Sequence, residues 1–124
     1  MVSSFQKNKL RVQIYSTRKE MGINAAKDVA ELIRSLLSSQ QKVNIIFAAA
    51  PSQNEFLEAL CLEKDIDWQR INAFHMDEYI GVSDDAPQRF GNFLKERIFD
   101  KLPFCSVNYL NGNRQPEEIG RAHV

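Results

Sequence analysis

Cysteine, glycine and proline are all scarce in this chain, at two, five and four among 124 residues. Cys61 and Cys105 stand far apart, in no CxxC pair and no Cys/His cluster. Neither a zinc site nor a disulfide framework is therefore indicated, and buried free thiols in a reducing compartment are expected. No Gly-x-Gly-x-x-Gly fingerprint and no P-loop occurs. Charge of one sign is missing too: sixteen Lys and Arg balance sixteen Asp and Glu. Without a basic field, nucleic acid and anionic membrane surfaces are not expected partners. No apolar run approaches the roughly 18 residues of a membrane span. Met1 to Lys9 is polar and mixed, without the charged-then-apolar pattern of a secretory signal. A soluble, cytoplasmic protein is expected, and nothing calls for a cofactor or a metal.

What is present is 44% hydrophobic content, enough at this length for one core but not for two ordinary domains. Leu10 to Tyr15 alternates apolar and polar residues, as a half-buried strand does. Thr17 and Glu20 have capping-box spacing, and Met21, Ala25, Val29, Ile33 and Leu36 then recur at helical intervals. Val43 to Ala50 is a nearly continuous apolar run that suits a strand covered on both faces, hence a parallel sheet. A second capping box, Ser52 with Glu55, opens a helix lined by Phe56, Leu57, Leu60 and Cys61. Ile71 to Met76 predicts a further strand. The set Phe90, Phe93, Leu94, Ile98 and Phe99 predicts a third helix, and Val107 to Leu110 a last short strand. Strands alternating with helices in this way predict a doubly wound, Rossmann-like α/β sheet, mostly parallel, with Val43 to Ala50 central.

In such sheets ligands bind beyond the carboxyl ends of the strands. Two places have that address. The turn Ala48 to Asn54 sets small residues and the Ser52 hydroxyl at a helix start, where free amides and the helix dipole favour an anion such as phosphate. The alternative is that Ser52 only caps its own helix. At Asp77-Glu78-Tyr79, adjacent carboxylates on an extended chain point to opposite sides, so a single base is implied rather than a dyad. The alternative is a pair of solvated loop charges. His75 reads as a packed or hydrogen-bonded residue rather than a ligand, and Tyr79 as a cover for the core edge.

The segments Ile71 to Gly81 (INAFHMDEYIG) and Asn108 to Asn113 (NYLNGN) resemble the glucosamine-6-phosphate deaminase (isomerase) family, whose wider group includes the 6-phosphogluconolactonases. The resemblance runs from about Leu10 to Asn113. Asp-Glu-Tyr, where the lactonases usually have Asp-Glu-Arg, favours the deaminase branch. It implies conversion of glucosamine 6-phosphate to fructose 6-phosphate and ammonia, with Asp77 moving a proton between C1 and C2 of the opened sugar. A carboxylate with that task suits a sheltered pocket, where its pKa rises. The resemblance also implies substrate contacts at Ala50, Ser52 and Glu78. The family's Thr-Gly-Gly-Thr-Pro loop is here Ala49-Ala50-Pro51-Ser52-Gln53: a hydroxyl is kept, Pro51 removes an amide donor, and Ala50 restricts close backbone approach.

Family members are considerably longer, and their second half supplies the Asp, His and Glu of ring opening. Residues 1–118 are therefore expected to be the amino-terminal part of one sugar-phosphate isomerase domain, a truncated sheet without its full site. The last six residues, Ile119 to Val124, match the translation of a sequencing adapter, ATC GGA AGA GCA CAC GTC, and are expected to be foreign. The expected partner is a small sugar phosphate, and a homo-oligomeric full-length form is compatible. A lactonase-type hydrolase and a non-catalytic sugar-phosphate sensor, favoured by the altered loop, are the competing functions.

Overall fold

The computed structural model describes residues 1–113. The tail Ile119 to Val124 and the domain limit at 118 lie outside the described residues.

The chain opens with a hairpin, β1 (Ser3–Lys7) antiparallel to β2 (Leu10–Ile14), in the register Phe5↔Val12. Asn8 turns the corner at φ 55°, a left-handed conformation that Asn tolerates. The sequence predicts a half-buried strand here. Instead β2 pairs only with β1, outside the parallel sheet, and Leu10 and Ile14 are exposed. β1 escaped notice because its alternation carries a single apolar residue, Phe5.

Helix α1 (Arg18–Ser39) starts as its cap predicts, with Thr17 Oγ1 accepting from Glu20 N at 3.1 Å. Its buried stripe is Gly22, Ala26, Ala30, Ile33 and Leu37; of the predicted Met21, Ala25, Val29, Ile33 and Leu36, Ile33 is buried and Val29 and Leu36 pack at the stripe's margin. The helix turned its smallest residues inward because α2 (Asn54–Leu62) crosses close by: a Cβ on Gly22 would lie 2.7 Å from the Glu55 carbonyl carbon. Met21 is left 47% exposed.

β3 (Val43–Phe47), β4 (Ile71–His75) and β5 (Ser106–Asn108) form a parallel sheet in that order, with Phe47 opposite His75 and Ala73 opposite Val107. Among the described residues β4 is therefore central and β3 lies at an edge, not in the middle as predicted. Val43, Ile45, Phe47, Ile71, Ala73 and Val107 join the helices in one continuous core. Leu57, Leu60, Ile71, Leu94 and Ile98 are its fully buried large side chains. Truncating any of the leucines or isoleucines to Ala costs about 2–5 kcal/mol. Phe47, Phe99 and Phe104 meet edge to face at 5.6–5.9 Å, with Trp68 5.2 Å from Phe104.

Helix α3 (Phe90–Leu94) runs directly into a π-helical stretch, Lys95–Phe99, where Asp100 N donates to Lys95 O at 2.9 Å. The widened turn lets Leu94, Ile98 and Phe99 all reach the core. Cys61 is half-buried, and burial raises its thiol pKa. Cys105 is exposed rather than buried, because it precedes β5 at the amino end of the sheet.

Candidate active site

Because β3, β4 and β5 are parallel, the segments after Phe47, His75 and Asn108 leave from one edge of the sheet. Met76 N donates to Phe47 O at 3.0 Å, so the first two turns start side by side. Ser52 and Asp77 therefore stand at the same edge, as the sequence predicts.

In the first turn Ala50 has φ 119° and ψ 157°, backbone space that is essentially glycine's. Ala50 therefore holds a conformation that suits glycine better than alanine. Pro51–Gln53 then forms a single 3-10 turn before α2 begins at Asn54. The predicted Ser52–Glu55 capping box does not form, since Ser52 lies inside that turn and Gln53 occupies the cap position without a side-chain bond. Glu55 instead pairs with Arg18 at 2.9 Å, and Arg18 also donates to Pro51 O at 2.8 Å. Ser52 lines a cavity of about 310 Å³ together with Arg18, Gly22, Gln53 and Phe56. Sequence reasoning missed Arg18, because no local pattern points to a partner 37 residues on.

At the second turn the two carboxylates part as alternation requires. Asp77 is exposed, and no described residue provides the shelter expected of it. Glu78 turns inward, its side chain 2% exposed. Its Oε1 accepts from Tyr79 N (3.0 Å) and Phe90 N (2.9 Å), and its Oε2 from Gly91 N (2.9 Å), with Arg89 Nε at 3.5 Å. Burial pushes this carboxyl up, but the Gly91, Tyr79 and Phe90 amides with Arg89 outweigh it and hold the pKa below the ordinary value. Expected at the substrate, Glu78 has both oxygens engaged by the start of α3.

His75, buried as predicted, accepts at Nδ1 from Leu110 N (3.2 Å). A neutral ring then carries its proton on Nε2, which lies 3.5 Å from Glu78 Oε2. The Tyr109 ring packs against it at 5.7 Å. Tyr79 stacks on Phe90 at 4.6 Å but remains 45% exposed, so it pairs with one ring beside the corner and does not cover the core edge as expected. The third turn locks against the second. A Cβ on Gly112 would meet Tyr79 O at 1.8 Å, which makes glycine obligatory there. Asn113 Nδ2 donates to Asp84 Oδ1 (2.6 Å), which Arg89 also grips (2.6 Å). The two segments that carry the resemblance, INAFHMDEYIG and NYLNGN, are thus one structural unit.

No family model matches the chain. The glucosamine-6-phosphate deaminase of Streptococcus gordonii is 32% identical over 92 residues, 74% of this chain and 38% of that protein. The same enzyme of Streptococcus sanguinis is 27% identical over 93 residues, 75% of this chain and 39% of that protein. A monomeric glucosamine-6-phosphate deaminase superposes with a TM-score of 0.74 at 21% identity, covering 88% of this chain and 46% of that one. Over about three quarters of its length the chain is similar to curated glucosamine-6-phosphate deaminases, members of a group whose fold it shares. A 6-phosphogluconolactonase of Shewanella baltica OS155 matches the fold equally well, at TM-score 0.74 and 16% identity over 88% of this chain and 46% of that one. The group is enzymatic, and its Rossmann-like fold is the one described above. This chain spans less than half the length of each of these four relatives. No described helix is long and apolar enough to cross a membrane.

Proposed function

We propose that these residues contribute the Asp77 corner and the Ala50–Ser52 turn to a cytoplasmic enzyme that isomerises and deaminates glucosamine 6-phosphate, giving fructose 6-phosphate and ammonia. The observation that carries the reading is the corner itself: Asp77 projects outward at the carboxyl end of the central strand while Glu78 is taken up by amides. In this reading Asp77 removes the proton at C2 of the opened amino sugar to give an enolamine and returns one at C1, and water hydrolyses the resulting C2 imine to ketose phosphate and ammonia. The Ser52 hydroxyl and the backbone at Ala50 receive the phosphate, with the Arg18 guanidinium beside them.

The lactonase relatives, equal in fold, support a second reading in which the same edge hydrolyses a phosphogluconolactone. The test uses the full coding sequence in which these residues occur. Release of ammonia with fructose 6-phosphate supports the deaminase, hydrolysis of 6-phosphogluconolactone the lactonase. Saturable binding of both sugars without turnover of either would sink both readings and leave a sensor.

A further inference from the structure

A helix start is ordinarily capped by a Ser, Thr, Asp or Asn immediately before it. The continuous helical stretch 90–99 has none: Arg89 stands at its cap position and its side chain makes no capping bond to the helix. Its Phe90 and Gly91 amides are met instead by a carboxylate 12 and 13 positions earlier, next in sequence to Asp77. The same carboxylate receives Tyr79 N and faces His75 Nε2, whose ring is held by Leu110 N. The segments following β4 and β5 and the start of α3 therefore converge on the buried pair of Glu78 and His75. Taking a carboxylate out of water is costly unless hydrogen bonds and charge offset it. This one is nevertheless retained where a local cap would have served the helix.

We propose that Glu78 is a positioning residue: it pins the corner to the first turn of α3 and thereby fixes the direction in which the Asp77 carboxylate is presented to substrate. The inference rests on the reading of Asp77 as the proton-transfer group. Two substitutions reach the seat from opposite sides. Glu78→Gln keeps the volume but sets an NH₂ group where an oxygen accepted, facing donors. Gly91→Ala leaves the charge intact but brings a Cβ to 3.1 Å from Glu78 Oε2, so the carboxylate must give way.

In the full coding sequence, Glu78→Gln should lower kcat by on the order of 10²-fold, as expected when a reacting group is displaced by about 1 Å. Gly91→Ala should cost less, and KM should stay within about twofold in both. Substrate deuterated at C2 supplies the readout that a structural role would not move. Slower proton transfer raises the isotope effect on kcat, whereas a smaller folded fraction lowers the rate and leaves the isotope effect alone. A raised isotope effect in either variant supports the inference, and Gly91→Ala alone decides if Glu78→Gln does not fold. Unchanged isotope effects in every variant that folds, with Asp77→Asn inactive, overturn the inference and spare the activity reading. No turnover of glucosamine 6-phosphate by the unaltered protein overturns both.

Discussion

Asp77 carries the chemistry of the proposed reaction, and its neighbours show what a single residue can decide. Asp77→Asn keeps size and most hydrogen bonding while removing basicity. Turnover should fall about 10²–10⁴-fold with sugar phosphate binding retained. A fully active variant in a coupled ammonia assay removes the residue on which the reading depends. Ala50 offers a test at the other turn. Its backbone sits where a Cβ is strained by about 1–3 kcal/mol, whereas glycine's extra freedom in the unfolded chain costs about 0.5–1 kcal/mol. Ala50→Gly should therefore stabilise, by about 1 kcal/mol, and a lower midpoint in thermal unfolding would count against the strain. Glu78 makes a pH prediction. Its folded pKa lies below the ordinary value, so its contribution is complete above the usual carboxylate range and is lost as pH falls through the folded value. Melting temperatures of the unaltered protein and Glu78→Gln should converge on acidification. A gap that stays constant down the acid limb shows that the charge is not what holds the seat.

Elements were legible where the signal was local. The Thr17 cap, the apolar run after Val43, the strand from Ile71 and the breadth of the third helix all follow from spacing, and all are found. What escaped is what depends on a distant partner. Ser52 and Glu55 have capping-box spacing, yet Arg18 takes the glutamate and a 3-10 turn takes the serine. At the candidate site, alternation separated Asp77 from Glu78 correctly. The destination of Glu78 could not be read, since two of the three amides that bind it, those of Phe90 and Gly91, lie beyond a loop of undistinguished polar residues. The α1 stripe was read in part: Ile33 is buried and Val29 and Leu36 pack against the core as expected, while Gly22, Ala26 and Ala30 were missed because small residues score poorly as core, although close crossing selects them. Gly22→Ala tests this crossing. Added at 2.7 Å from backbone, its Cβ cannot be accommodated by a side-chain movement, so helix propensity, which favours Ala, should lose to overpacking. Destabilisation of about 1–3 kcal/mol is expected in chemical denaturation, and a more stable variant would show that α1 and α2 can slide apart at no cost.

At the scale of the whole molecule, a parallel sheet requires cover on both faces. The described helices share their core with the face of Val43, Phe47, Ile71 and Ala73. On the opposite face an amide and hydroxyl ladder crosses the strands, Asn72 Nδ2 to Asn44 Oδ1 at 3.0 Å and Ser106 Oγ to Asn72 Oδ1 at 2.8 Å. Beside it Ile46 is 68% exposed. The hairpin adds a second apolar surface, with Phe5 51% and Leu10 64% exposed on the face of its paired Val12. Among the described residues no strand pairs with the outer edge of β3, which completes a surface that invites pairing between chains. The 124-residue chain by itself should therefore self-associate at micromolar concentration. Ile46→Lys separates this cause from poor folding. The side chain is already in water, so a charge there should leave the thermal midpoint within about 0.5 kcal/mol of unaltered stability while raising solubility through repulsion at the exposed strand. Light scattering on the two chains at equal concentration is the measurement. A monodisperse, cooperatively folding unaltered chain would show the open face to be tolerated in water. Loss of folding in Ile46→Lys would show that face to be buried in solution.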